Sequence, residues 1–421
     1  MRDPAGTEER LLTVTAEAAR RLTVTNQHLV GKLPKRPTKE MIVSLIRDLP
    51  YVQWDPVTIV APSHMISLWS RLGSFDPSDL EGLLWGDRKV FLHWTPIASL
   101  VLTEDYPLYA SLMGRYPDSM ASWGIQGRRA KLFLASHKEL RLRMLKELSK
   151  GPLQGNQFSD YVSRKSKDGW SSENEVSNLL YHLHMSGEVM VVGRQGNQNV
   201  WGLTDEFLPK WVEREPLSEA EFERQAAQRA LRGLGTATPT EIKYYFPPGR
   251  YQNLKNALAS LQDDSLIHRI SVDGFSRKNE ERYVHDEDLS LLESIGGDAW
   301  EPRVSLIAPF DTLIRGQART NAVFGFDYIH EQFLPKEKRK FGTYVLPILW
   351  GANLIGRADL KTDREKRTLL VNSVHSERGA PTDGGTASEI AERFDDLAEF
   401  LGAKEVIYSP KVPGAWKASL R

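Results

Sequence analysis

The chain contains no cysteine among its 421 residues. That absence excludes disulfide staples, thiolate zinc sites, cysteine-ligated iron–sulfur clusters and cysteine nucleophiles. Net charge is missing as well, since 55 Lys plus Arg balance 55 Asp plus Glu. No stretch approaches the ~18 apolar residues of a membrane span, and Met1-Arg2-Asp3-Pro4 leads into no apolar signal segment. The expectation is a cytoplasmic protein with no membrane partner. Phosphate-cradling glycine loops are absent too: no Gly-x-x-x-x-Gly-Lys occurs, and Gly233-Leu-Gly235 lacks the third glycine of a dinucleotide fingerprint. There is no Gly-x-Ser-x-Gly elbow. His182 and His184 are two apart on a predicted helix and so diverge, and no His-Glu-x-x-His occurs. Nucleotide-driven, dinucleotide-dependent, zinc-hydrolase and α/β-hydrolase chemistries all lose their support. Neither a metal nor a cofactor is expected.

A neutral total conceals an uneven distribution. From Ala18 to Lys39 stand six basic residues, including Arg20, Arg21, Lys35 and Arg36, and no acid. From Arg128 to Lys150 stand eight against two acids, and Lys336, Lys338, Arg339 and Lys340 form a third group around Glu337. Acid concentrates from Asp286 to Glu301, with six carboxylates and no Lys or Arg. A single charge run is ordinarily a solvated face. Three separate basic runs favour a one-sided positive surface, because phosphate contacts need local potential and not a positive total.

The length predicts about three modules. Leu140, Met144, Leu145 and Leu148 recur at helical spacing up to Gly151-Pro152. A short helix around Phe158 and Tyr161 follows. Ser172 and Glu175 then read as a capping box opening a helix through Leu183, and Gly187 ends it. Glu188 to Val192 and Val200 to Leu203 flank a polar tip, as a β-hairpin would. Helix, short helix, helix and hairpin make a winged helix-turn-helix. The order recurs with Ser218 and Glu221 at one helix start, Thr238-Pro239-Thr240-Glu241 at the next, Leu254, Leu258 and Leu261 on a third, and strands near Leu266 to Val272 and Tyr283-Val284. A less regular module precedes them, with a helix from Thr38 to Pro50, a strand Tyr51 to Asp55 and a second helix from Met65 to Leu72. Beyond Glu301, four β-type runs and an amphipathic helix carrying Ile390, Phe394, Leu397 and Leu401 complete the chain. The predicted fold class is α+β. Winged-helix modules occupy 1–127, 128–215 and 216–300, and a C-terminal antiparallel β-barrel or sheet with a terminal helix occupies 301–421. The acidic Asp286 to Glu301 stretch is the expected linker.

Tyr51-Val-Gln-Trp-Asp55 is the candidate site. Residues two apart share a strand face, so Gln53 and Asp55 project together while Val52 and Trp54 face the core, and Pro56 ends the pairing. An amide beside a carboxylate can hold a water, although alternating strands routinely present a polar face of the same kind.

Leu49-Pro-Tyr-Val-Gln-Trp-Asp-Pro-Val57, with His64 and Leu68-Trp-Ser-Arg-Leu72, resembles the N-terminal signature of the AlkZ and YcaQ family of tandem winged-helix DNA glycosylases. Pro309-Phe-Asp311, Phe324-Gly-Phe-Asp-Tyr328 and Ile355-Gly-Arg-Ala-Asp-Leu-Lys361 are similar to that family's C-terminal β region. The resemblance implies three winged helices and a β-barrel in a C shape around DNA. It also implies catalysis by a Gln-x-Asp pair of the YcaQ type, matched here by Gln53 and Asp55. The implied partner is double-stranded DNA carrying N7- or N3-alkylated purines, bulky adducts and interstrand crosslinks among them, bound by a monomer. His64 is then expected at the lesion or a phosphate, with a structural hydrogen bond as the other reading, Arg71 on a phosphate or paired with Asp76, and Arg20, Arg21, Lys35, Arg36, Lys338 and Arg339 on the DNA backbone. After Pro309-Phe-Asp the family usually continues with an aromatic and an Arg-rich stretch. Here the chain reads Thr312-Leu-Ile-Arg-Gly-Gln-Ala-Arg319, which departs from that pattern. The alternative is a non-catalytic winged-helix transcription regulator, reading bases with helices at Glu173 to Ser186 and Arg250 to Gln262. Three dissimilar modules give it no palindromic half-site, and the first of those helices has no Arg or Lys to read guanine.

Overall fold

A computed structural model describes residues 11–95, 97–118, 125–161, 172–275, 280–296 and 300–420. One element order recurs three times: helix, two-residue strand, helix, helix and a hairpin. In the first module these are Lys39–Asp48, Val52–Gln53, Ser63–Leu72, Pro77–Glu81 and the strands Val90–Trp94 and Ala98–Leu102. The second has Lys138–Leu148, Leu153–Gln154, a 3-10 turn Gly155–Tyr161, Ser172–Met185 and the strands Val189–Gln195 and Gln198–Leu203. The third has Glu219–Leu234, Thr236–Ala237, Pro239–Tyr245, Leu254–Asp263 and the strands Ile267–Asp273 and Arg282–His285. In the first two modules the short strand pairs with the last, and the third module keeps that pairing within a larger sheet.

Local chemistry explains the helix starts. The Thr38 side chain accepts from the Met41 N–H at 3.4 Å, and Asp76 caps the helix before Pro77 by accepting from Ser78 at 2.9 Å. Thr238 and Glu241 form a reciprocal box, with Thr238 accepting from the Glu241 N–H at 3.1 Å and Glu241 accepting from the Thr238 N–H at 3.0 Å. At Ser218 only the forward bond to the Glu221 N–H, 3.3 Å, is made. The side chain of Ser172, the other expected cap, lies outside the described residues, as do Met1 to Arg10.

Two boundaries differ from the sequence reading. Residues 12–26 do not join the first module. The strand Leu12–Thr15 runs parallel to Ile267–Asp273 as a fourth strand of the third module's sheet, and the helix Ala16–Asn26 packs Leu22 against Ile270, Val284, Leu292 and Ile295. Gly235 permits this docking: its φ is +71°, and a Cβ there would lie 3.0 Å from the backbone nitrogen of Thr23. A parallel pairing across some 250 positions leaves no local trace in the sequence. Nor is the first part of the acidic stretch, Asp286 to Ser294, a linker. It forms a 3-10 turn and the helix Leu289–Ser294, and three of its acids take internal partners. Asp286 meets His268 at 2.7 Å, Glu287 meets Arg232 at 3.0 Å, and Asp288 accepts from Asn26 at 2.9 Å. Residues 297–299 of that stretch lie outside the described residues.

The C-terminal strands Val304–Leu306, Val345–Trp350, Asn353–Asp363, Thr368–Ser376 and Glu405–Tyr408 form a sheet in that order. The last strand, not anticipated, joins parallel to its neighbour. The helix Gly384–Phe400 covers the sheet with buried Ile390, Phe394 and Leu397. One apolar cluster runs from Trp69 and Leu92 of the first module through Leu179 and Val189 of the second to Leu346 and Phe394 of this sheet. Another joins Tyr51, Phe91 and Tyr109 to Phe222, Leu231 and Phe246 of the third. The first module therefore contacts all the others. Across its boundary with the second, His93 Nδ1 meets His184 Nε2 at 3.2 Å, and His184 Nδ1 meets the Val189 carbonyl at 3.1 Å. The carbonyl only accepts, so His184 carries its proton on Nδ1 and His93 donates to it. Burial holds both rings neutral.

Arg71 ties the parts together. Its guanidinium, fully buried, meets both carboxylate oxygens of Asp311 at 2.7 Å. It also donates to the Gln27 carbonyl at 2.8 Å, to Gln27 Oε1 at 3.0 Å and to the Ser67 carbonyl at 3.0 Å. Removing one partner of a buried pair strands the other charge in apolar surroundings. Arg71→Ala is expected to lose about 3–5 kcal/mol of stability in urea unfolding, whereas Lys35→Ala, at an exposed side chain, should stay within about 0.5 kcal/mol.

Candidate active site

Val52–Gln53 is the short first strand of its module, paired antiparallel through Val52↔Leu100 and Gln53↔Ser99. The Trp54 N–H donates to the Ala98 carbonyl at 2.8 Å, so extended pairing continues to the residue before Asp55. Alternation buries Val52 and turns Gln53 and Asp55 to one side. Both line a cleft of about 950 Å³. Its other walls come from the third module (Thr240, Tyr244, Tyr245) and from the C-terminal domain (Phe310, Arg315, Gln317, His330, Phe333). The site thus lies where three parts of the chain meet.

Asp55 is largely buried, and its Oδ1 accepts the Val57 N–H at 2.8 Å. The other carboxylate oxygen makes no hydrogen bond to a described residue. Burial pushes the Asp55 carboxyl above its usual range, and the Val57 hydrogen bond partly opposes this. Other charges bordering the cleft are committed. Asp311 belongs to Arg71, and Glu241 meets both Arg282 and Arg319 at 2.7 Å. Among the described residues of the lining, Asp55 and Arg315 are the charged side chains without an ion pair; the Arg315 guanidinium sits 5.3 Å from the centre of the Tyr51 ring.

Behind the Val52–Gln53 strand lies a stack. The Trp54 and His64 rings are parallel within 11° at 4.0 Å, and Arg194, from the second module's hairpin, lies 5.4 Å over Trp54. Burial, with Arg194 nearby, pushes His64 down to about 3, so the ring is neutral. Trp54, expected to face the core, packs against it while half-buried, with its ring in this stack.

The expected DNA contacts divide. Arg71 is a structural residue, because a guanidinium already bonded to Asp311, Gln27 and Ser67 has no donor to offer a phosphate. The pairing is with Asp311 and not with nearby Asp76, which caps its own helix. His64 is packing beneath Trp54 and not part of the cleft lining. Arg20 and Arg21 both pair with Glu17 at 2.8 and 3.1 Å, and Arg21 further donates to the Ile295 carbonyl at 3.0 Å. Arg339 ties its own loop together, donating to the Leu334 carbonyl and the Thr343 hydroxyl, each at 2.9 Å. Lys35, Arg36 and Lys338 are exposed; Lys338 borders a smaller cavity of about 240 Å³ shared with Lys340 and Arg357. In the departing Thr312 to Arg319 segment, Thr312 donates to Gln27 and Arg319 to Glu241, Thr236 and Leu234, while Arg315 and Gln317 face the cleft.

Sequence reasoning missed Arg315, Tyr244, His330 and Phe333. The one available signal was Tyr244 beside Tyr245: only one residue of such a doublet on the helix Pro239–Tyr245 can face the core, and that one is Tyr245. Among the described residues no group of three or more His, Asp or Glu side chains is arranged to hold a metal ion, and no helix is long and apolar enough to cross a membrane.

Comparison with known proteins bears on this arrangement. The DNA glycosylase AlkZ-like family model matches residues 46–400. The solved structure of the Streptomyces sahachiroi DNA glycosylase AlkZ superposes with a TM-score of 0.66, over 96% of this chain and 100% of that one, at 13% identity. At that identity the likeness carries the fold. The family match spans most of the sequence, including both the Gln53–Asp55 strand and the C-terminal wall of the cleft, so the chain belongs to the AlkZ-like DNA glycosylases.

Proposed function

We propose that this protein is a monofunctional DNA glycosylase that hydrolyses the N-glycosidic bond of cationic N7- or N3-alkylated purines, bulky adducts and crosslinks included. The observation that carries the reading is Asp55: a largely buried carboxylate with one oxygen uncommitted, sharing the wall of an open cleft with Gln53. An alkylated purine already bears positive charge, so it leaves as a neutral base with the glycosidic electron pair and needs no strong general acid. The sugar is left as an oxocarbenium ion at C1′. The Asp55 carboxylate stabilises that charge, water held between Gln53 and Asp55 adds to C1′, and the water's proton passes to Asp55. No step draws on a metal or a cofactor. The cleft is formed within one chain, which suits a monomer. At about 950 Å³ the cleft has room for a bulky lesion.

Single-turnover release from duplexes carrying N7-methylguanine tests this directly. Wild type should release base, and Asp55→Asn should slow release by at least about 10²-fold, the lower end for losing a positioned base or charge stabiliser. Tight binding of one undamaged sequence without base release would instead favour a regulator. Activity requires ionised Asp55, so the rate should be full above its pKa and fall as pH drops through it. The midpoint should lie above the ordinary aspartate value of about 4. His64, neutral down to about 3, adds no inflection to that limb. For the backbone contacts, Lys35→Ala with Arg36→Ala should weaken binding evenly across sequences. The double change should flatten the dependence of log K on log salt by about 2, roughly one per lost phosphate contact.

A further inference from the structure

We propose that the aromatic wall of this cleft, formed by Phe310, His330 and Phe333 with Tyr244, is a shelf that stacks the purine to be released and favours it in its cationic form. This rests on the glycosylase reading and adds the element that selects the base. Phe333 is 72% exposed and Tyr244 62%, yet both border the one cleft that contains Asp55. Large rings left in water at a concave site are the usual mark of a surface awaiting an apolar or planar partner.

The shelf is built before any ligand arrives. The Phe310 and His330 rings are parallel within 17° at 4.7 Å, and Phe333 lies 6.2 Å from Phe310. Tyr328 braces His330 edge-on at 5.1 Å, and its own hydroxyl is fixed on the Val345 carbonyl at 2.7 Å. Phe310 adjoins Asp311, which Arg71 holds in place. Three features then favour a positive ring over a neutral one. Aromatic faces attract cations. Asp55 supplies an unpaired carboxylate in the same cleft. Burial pushes the His330 ring toward its neutral form, which limits repulsion. Ordinary guanine would stack on the same faces without these electrostatic contributions.

Two measurements on full-length protein test the shelf: single-turnover release of N7-methylguanine from duplex DNA, and calorimetric binding of free 7-methylguanosine against guanosine at a pH where the methylated base is cationic. Phe333→Leu and Tyr244→Leu are each expected to reduce both release and 7-methylguanosine binding about 10-fold, within the range for losing one base–aromatic stack. Phe333→Trp should restore both. Trp211→Leu, at a 57% exposed ring outside the cleft lining, should change neither. Phe333 and Tyr244 are too exposed for their loss to unfold the protein, and equal circular dichroism melting curves would establish that. Wild-type behaviour of Phe333→Leu and Tyr244→Leu in both assays overturns the shelf. Equal binding of 7-methylguanosine and guanosine by wild type overturns its preference for the cation. If wild type releases no base but binds 7-methylguanosine through Phe333, the glycosylase reading fails and the shelf stands.

Discussion

A guanidinium buried without water must be paired and hydrogen-bonded, and in this protein that requirement draws separate parts of the chain together. Arg71 belongs to the first module, its carboxylate partner Asp311 to the C-terminal domain, and its carbonyl partner Gln27 to the N-terminal helix. The Gln27 amide continues the network by donating to the Gly233 carbonyl at 2.5 Å and to the Tyr245 hydroxyl at 3.1 Å, both in the third module. Satisfying this charge and the Gln27 amide beside it therefore brings four segments into register. The cleft walls are attached to the same network, with Phe310 next to Asp311 and Tyr244 next to Tyr245. Arg303 repeats the device nearby, donating to the carbonyls of His28, Val30, Gly31 and Ser70 at distances between 2.7 and 3.1 Å.

Such a frame gives the site its electrostatic character. Ionisable groups around the cleft are largely consumed by structure: Asp311 by Arg71, and Glu241 by Arg282 and Arg319. Asp55 remains uncommitted on one oxygen, partly desolvated and backed by the neutral Trp54–His64 stack. A lone carboxylate in a low-dielectric wall acts more strongly on a developing cation than the same group in water. Many basic side chains that could have met phosphate, Arg20, Arg21 and Arg232 among them, are matched internally by Glu17 and Glu287.

Much of the local structure was legible in the sequence because it depends on near neighbours. Thr38, Ser218 and Thr238 cap the helices they were expected to open, and the hairpins at Val189–Leu203 and Ile267–His285 fall where the alternation placed them. Gln53 and Asp55 share the cleft because a period of two is a property of any extended strand. Long-range pairings left no comparable mark. Leu12–Thr15 reads as four unremarkable β-formers, and only its partner Ile267–Asp273 assigns it to the third module. Arg71 and Lys35 are both simply cations on paper, yet one is sealed inside and the other is exposed.

What the sequence determined by itself was the set of chemistries open to this protein and the address of one amide–carboxylate pair. The missing cysteines closed the thiol routes, and local periodicity set the helix and strand order. Tertiary structure decided what each side chain is used for. It turned Arg71 from a DNA ligand into a keystone and His64 into packing, and it gathered Tyr244, Phe310, His330 and Phe333 around Asp55 from positions far apart in the chain. The reason is physical: propensity and periodicity act over a few residues, whereas burial, charge pairing and cleft formation depend on which distant segments arrive at the same place.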